Sequence, residues 1–320
     1  MRVHLFLPAS PRALLIALHG CTQSPDALRD RGNFEAPAEL HDAMIALPEV
    51  PNGGVIAGCW DYYGSDHTPD NRHNSYLVAL VDALIDDYAL DPARVYLIGI
   101  SSGAGESFVL GCLSPDRFAG IGFAAGPAVG TDVSQFSTVS TDRDTAASVC
   151  RTLAGPRSAG FDTQLTSVIQ GENDFVVAPG YNRLNAEIMA SIYGAATESM
   201  LDVSMLPGMS PSGTGAIWSD ANGPRVSMIE VAGMGHAFPS GEGDGLETNF
   251  VAQKGVAWPS YVLTFFETNN RRVDQPLPGV DAGVRDASAG TDAQSGQDAQ
   301  DPPIPKDPAP AGCSCHSTGG

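Results

Sequence analysis

The stretch Val95-Tyr96-Leu97-Ile98-Gly99-Ile100-Ser101-Ser102-Gly103-Ala104 decides how this chain is read. Its first four residues are an apolar, β-favouring run, and Ala104 to Cys112 reads as a helix. Between them Gly99-Ile100-Ser101-Ser102-Gly103 has the G-x-S-x-G form of a nucleophile elbow, a sharp strand-to-helix turn that exposes its serine. Side chains at the flanking positions would clash with the tight backbone, hence the glycines. In a chain with 36 glycines the pentapeptide alone is compatible with an ordinary Gly/Ser loop. The strand before it and the helix after it predict a nucleophilic Ser101 instead.

Working outward, apolar runs suited to buried strands lie at Leu14–Leu18, Met44–Leu47, Val95–Gly99, Ile121–Ala124, Thr166–Ile169 and Val226–Val231. Leu77, Leu80, Val81, Leu84, Ile85 and Tyr88 recur at helical spacing ahead of the elbow strand, and a last helix is expected over Trp258 to Asn269. Alternating strands and helices predict an α/β fold with a mostly parallel sheet and helices on both faces. Met1 to Leu7 reads as a strand, too short and too soon interrupted by Pro8 to be a signal peptide. Val129–Thr145 and Glu198–Pro224 fit no regular element and are expected to be active-site walls or mobile loops.

With 320 residues, 42% of them hydrophobic, the chain can bury one large core or two small ones. No window is apolar for long enough to span a membrane. The net charge is −20, which repels phosphate backbones and argues against nucleic acid or any polyanion as partner. A neutral or apolar substrate fits better, and a monomer is expected. The composition changes near Arg272: residues 1–272 read as the catalytic domain and 273–320 as an acidic Asp/Ala/Gly/Pro-rich linker. That tail carries seven Asp against Arg285 and Lys306, which leaves −15 on the body.

A serine nucleophile needs a base and a carboxylate to orient it. Of seven histidines, His236 stands out, because Gly233-Met234-Gly235-His236-Ala237-Phe238 is a glycine-flexed loop following a strand. For the acid, Gly171-Glu172-Asn173-Asp174 follows the Thr166–Ile169 strand; Asp174 is the choice, with Glu172 and Asp162 as rivals. The order Ser101, Asp174, His236 is that of α/β-hydrolases, which sets the expected fold. An oxyanion hole needs two N–H donors, one from Ser102 and one from the loop Leu18-His19-Gly20-Cys21-Thr22-Gln23, where Cys21 is nominated.

These motifs, with Cys59-Trp60-Asp61-Tyr62 and Asp91-Pro92-Ala93-Arg94-Val95-Tyr96, resemble extracellular polyhydroxybutyrate depolymerases and the related acetylxylan and feruloyl esterases over roughly residues 1–270. The resemblance implies an α/β-hydrolase fold, a triad at Ser101, Asp174 and His236, no cofactor, and an ester-bearing polymer or small ester as substrate. The chain departs from the family at Ser102, where alanine is usual, at Ala104, where glycine is usual, and at Gln170, where histidine is common. Gln23, Trp60 and Tyr62 are expected at the substrate, although Trp60 fits an ordinary core position equally well. No cysteine spacing suits zinc. Disulfides are expected for Cys21 with Cys59 and Cys112 with Cys150, since the polymer-degrading relatives imply an oxidising compartment, with reduced buried thiols acting as small hydrophobes as the alternative. Gly312-Cys313-Ser314-Cys315 resembles the start of a MYXO-CTERM surface-sorting tail, without the hydrophobic and basic segments that should follow. Either the tail is truncated or the cysteine pair is coincidental. Together these imply a secreted or surface-attached protein whose start lies upstream. A serine peptidase of the same fold and a non-catalytic surface binding module are the alternatives from other classes.

Overall fold

The computed structural model describes residues 2–274. The tail reading over 273–320, with its sorting motif, lies outside these residues except for Val273 and Asp274. Nine strands form the main sheet: β1 Val3–Phe6, β2 Ala13–Leu18, β3 Ala43–Pro48, β4 Val95–Ile100, β5 Gly120–Ala124, β6 Leu165–Gly171, β7 Thr197–Met200, β8 Gly213–Asp220 and β9 Gly223–Val231. Their spatial order is β1-β3-β2-β4-β5-β6-β9-β8-β7. The five strand pairs from β3 through β2, β4, β5 and β6 to β9 are parallel, and β1, β8 and β7 extend the sheet antiparallel at its two edges.

Seven helices cover the sheet: α1 Pro25–Arg31, α2 Glu35–Leu40, α3 Asn74–Tyr88, α4 Ser102–Leu113, α5 Arg143–Ala154, α6 Gly180–Tyr193 and α7 Trp258–Asn269. Side chains alternate across a strand, so each buried strand serves two cores. In β2, Leu14, Ile16 and Leu18 pack with Leu77 and Val81 of α3, Phe108 of α4 and Ile188 of α6. The intervening Ala13, Leu15 and Ala17 pack with Leu28 of α1, Ala38 of α2, and Val262 and Phe266 of α7. This is the α/β-hydrolase architecture, with strands that read as continuous apolar runs because both faces are covered. No helix among the described residues is long and apolar enough to cross a membrane.

One expectation is corrected. Glu198–Pro224 is not an irregular insertion, because it holds most of β7, all of β8 and the turn into β9. Its Gly, Pro and Ser residues conceal the strands, and β7 is an edge strand with no fully buried residue. Val129–Thr145 is loop as far as Asp142, whose carboxylate accepts the N–H groups of Asp144 and Thr145 and starts α5.

Candidate active site

β2, β4, β6 and β9 run parallel, so their carboxyl ends share one edge of the sheet, where α/β folds bind ligands. The loops leaving these four ends carry Cys21, Ser101, Asp174 and His236. Asp162 precedes β6 and falls at the opposite edge, which removes it as the acid.

Ser101 stands between β4 and α4 with φ 56° and ψ −118°, a backbone that L-residues avoid. Such a conformation costs on the order of 1–3 kcal/mol and persists only where the surroundings impose it. Here the surroundings are close: a Cβ on Gly99 would come within 2.3 Å of the Gly103 carbonyl, and one on Gly103 within 2.5 Å of the Leu18 and His19 oxygens.

The His236 imidazole donates from Nδ1 to Oδ2 of Asp174 at 2.9 Å. Asp174 is almost completely buried, and its other oxygen accepts the backbone N–H groups of Val176 and Val177, both at 2.9 Å. Gln170 donates a further bond to Oδ2 at 3.0 Å and a second to the Val177 carbonyl at 2.8 Å. The departure noted at 170 therefore has a task, which is to clamp Asp174 and its loop. Glu172 reaches not the imidazole but the Gly233 N–H at 3.0 Å, where it holds the histidine loop.

Ser101, Ser102, Cys21 and His236 line a single cavity of about 310 Å³. Its walls include Ile56, Tyr62, Tyr63, Val133, Phe136, Val176, Val177 and Phe250, and among the described residues no Lys, Arg, Asp or Glu. In the Cys21 loop the flanking amides are engaged, Gly20 N–H with the Gln23 side chain at 2.7 Å and Thr22 N–H with the Ala57 carbonyl at 2.8 Å. Sequence reasoning missed His19. Its Nε2 accepts the Val50 N–H at 3.2 Å, which leaves Nδ1 protonated to donate to the Gly20 carbonyl at 2.8 Å. A trans peptide sets C=O and N–H on opposite sides, so holding the Gly20 carbonyl also fixes the direction of the Cys21 N–H. Burial lowers the His19 pKa and favours the neutral ring this arrangement needs. The His-Gly pair was visible in the sequence; its carbonyl partner was not.

Tyr62 lines the cavity as expected, but Trp60 does not. Trp60 is wholly buried, with Nε1 donating to the His19 carbonyl at 2.9 Å and its backbone N–H to the Ser102 Oγ at 3.3 Å. A buried indole needs an acceptor for its N–H, and this one braces the loop from behind. Gln23 does reach the cavity, yet both ends of its amide are used by backbone groups.

The esterase PHB depolymerase family model matches residues 5–196. The chain belongs to this family. Over 276 residues it is 36% identical to the poly(3-hydroxybutyrate) depolymerase of Ralstonia pickettii, covering 83% of this chain and 56% of that protein. Over 239 residues it is 29% identical to the poly(3-hydroxyalkanoate) depolymerase C of Paucimonas lemoignei, covering 72% of this chain and again 56% of the relative. The chain thus spans little more than half the length of these two proteins. Among solved structures, an acetyl xylan esterase from Aspergillus awamori superposes with a TM-score of 0.62 at 20% identity, over 73% of this chain and 88% of that one, and so shares its fold.

In this family domain the four body cysteines form two bridges, Cys21–Cys59 and Cys112–Cys150, each across 38 positions. The first ties the Cys21 loop to the segment carrying Trp60 and Tyr62. Reduction should displace a donor there without removing it. Loss of one oxyanion donor costs about a hundred- to a thousandfold in turnover, so reduction is expected to lower kcat on a soluble ester by less, about tenfold. The Cys21→Ala, Cys59→Ala double mutant should match the reduced protein, because the backbone N–H survives. Full kcat after verified reduction would contradict this.

α4 is buried along its whole length and includes Glu106, whose carboxyl oxygens have no hydrogen-bond partner among the described residues. Burial pushes its pKa up to about 8, with Asp61 adding to the effect and Arg72 opposing it. The folded state therefore keeps a proton that the unfolded chain releases near its ordinary carboxylate pKa. Stability should fall as pH rises from about 4.5 to about 8 and level off above, a change of the order of a few kcal/mol. Glu106→Gln is expected to flatten that dependence and to raise Tm over wild type far more at pH 8 than at pH 5. Parallel Tm–pH curves for the two proteins would contradict it.

Proposed function

We propose that this chain is an exported serine esterase that cleaves an uncharged hydroxyalkanoate-type polyester or its oligomers. The observation that carries the reading is the convergence of Ser101 and an Asp174-bonded His236 on one apolar-walled cavity beside the Cys21 and Ser102 amides. His236 takes the Ser101 proton as Oγ attacks the ester carbonyl, and Asp174 holds the ring in the required tautomer. The Cys21 and Ser102 N–H groups stabilise the oxyanion. His236 then protonates the departing alcohol, and water activated by the same imidazole releases the acid from Ser101.

The polyester preference is supported by the uncharged walls and by the long match to the two depolymerases, and export by the two disulfides, which persist in oxidising compartments. The test is a panel of 3-hydroxybutyrate oligomers and polymer, acetylated xylan, feruloylated xylan, a p-nitrophenyl ester and a peptide amide. The hydroxybutyrate substrates are expected to give the highest kcat/KM. Preference for either xylan would move the substrate within the family. Amide cleavage without ester cleavage would mean a peptidase, and inactivity throughout a binding module.

A further inference from the structure

Asn249 and Phe250 form the two-residue tip of a hairpin, with Thr248 paired opposite Val251 and Glu247 opposite Ala252. Both tip residues are left-handed, at φ 52° and 56°. Two-residue hairpin tips with positive φ at both positions favour glycine at the second, and a phenylalanine there is a steric outlier. Burial does not explain it, since Phe250 is 42% exposed. The ring stands instead at the cavity containing Ser101, edge-on to His236, with centroids 6.0 Å apart and planes at 74°.

One side chain ties this tip to the Cys21 loop. Gln23 Nε2 donates to the Asn249 carbonyl at 2.6 Å and, more weakly, to that of Phe250 at 3.4 Å. Its Oε1 accepts the Gly20 N–H at 2.7 Å. The Phe250 carbonyl also accepts the Phe238 N–H at 2.8 Å. A single carboxamide thus spans from the candidate oxyanion loop to the strained turn.

We infer that Phe250 is a specificity-determining residue for the leaving alcohol and that Gln23 is the positioning residue that sets it. The inference rests on the serine esterase reading above. In that reaction the carbonyl oxygen points to the Cys21 and Ser102 amides, and the alcohol oxygen points to His236, which must protonate it. A ring edge-on to His236 therefore walls the alcohol side and not the acyl side. Strained residues persist at binding sites when their placement serves the ligand, which accounts for an aromatic ring where glycine would be relaxed.

The test uses two ester series: butyrates of methyl, butyl, hexyl and benzyl alcohol, and p-nitrophenyl esters with acyl chains of increasing length. In Phe250→Gly the benzyl-to-methyl ratio of kcat/KM is expected to shift by about tenfold or more, the scale of one pocket group, while the acyl-length profile keeps its slope. Phe250→Leu should give an intermediate ratio. Gln23→Met, of similar bulk but unable to bridge, should shift the alcohol ratio in the same direction and also lower kcat, because the Gly20 amide is released. Phe250→Gly, relieved of the left-handed strain, should unfold no earlier than wild type. An unchanged alcohol ratio in both Phe250 variants, equal shifts in the two series, or a Tm drop of many degrees in Phe250→Gly would overturn the assignment. Wild-type kinetics in Gln23→Met would overturn the strut. A wild-type protein that cleaves no ester would overturn the esterase reading itself, and this assignment with it.

Discussion

Ser101→Ala is expected to lower turnover of a p-nitrophenyl ester by about a millionfold, the usual cost of removing a triad nucleophile. The fold should not change. Alanine at 101 must adopt the same φ of 56°, so the strain stays, and the Ser101 N–H keeps its bond to the Ala124 carbonyl at 2.9 Å. The mutant should therefore melt close to wild type, and Ser101→Gly, free of that strain, slightly higher. Activity above a small fraction of wild type in Ser101→Ala, measured on protein free of wild-type contamination, would remove the serine from the mechanism.

Asp174→Asn comes next, with an expected loss of about ten-thousandfold in kcat. The carboxylate accepts on both sides: Val176 and Val177 N–H on Oδ1, and Gln170 and His236 on Oδ2. Asparagine has only one carbonyl oxygen. Facing it toward the two backbone donors puts its NH2 group against the Gln170 amide and the imidazole N–H. The ring escapes the clash by moving its proton from Nδ1 to Nε2, and Nε2 can then no longer accept the Ser101 proton. kcat should collapse while KM changes little, whereas Glu172→Gln, at a side chain that accepts the Gly233 amide, should cost far less. The reverse ranking would make Glu172 the acid.

Much of this arrangement was legible in the residues themselves. The elbow and the central strands announce themselves because a parallel strand covered on both faces must be a short continuous apolar run, as at Ala13–Leu18 and Val95–Ile100. The loops at the strand ends followed from order along the chain. The rest depended on partners distant in sequence. Strand β7 is exposed and polar, so no periodicity marks it. The motif around Trp60 fits a cavity wall and a core position equally well, and the His19 carbonyl that decides for the core is 41 residues away. His19 acts through backbone groups alone, and Gln170 through one carboxylate and one backbone carbonyl, pairings that a string of side chains does not display. Phe250 tops a hairpin whose arms are two residues each, too short for any pattern to register.

The central claim is that Ser101 is an activated nucleophile. Its most direct measurement is intact-mass and peptide mapping of the protein after treatment with an uncharged serine-directed fluorophosphonate. A single adduct is expected on the Ser101-containing peptide, localised by fragmentation to Ser101 and not Ser102, and absent from Ser101→Ala. No adduct on folded protein, or an adduct that persists in Ser101→Ala, would contradict the account.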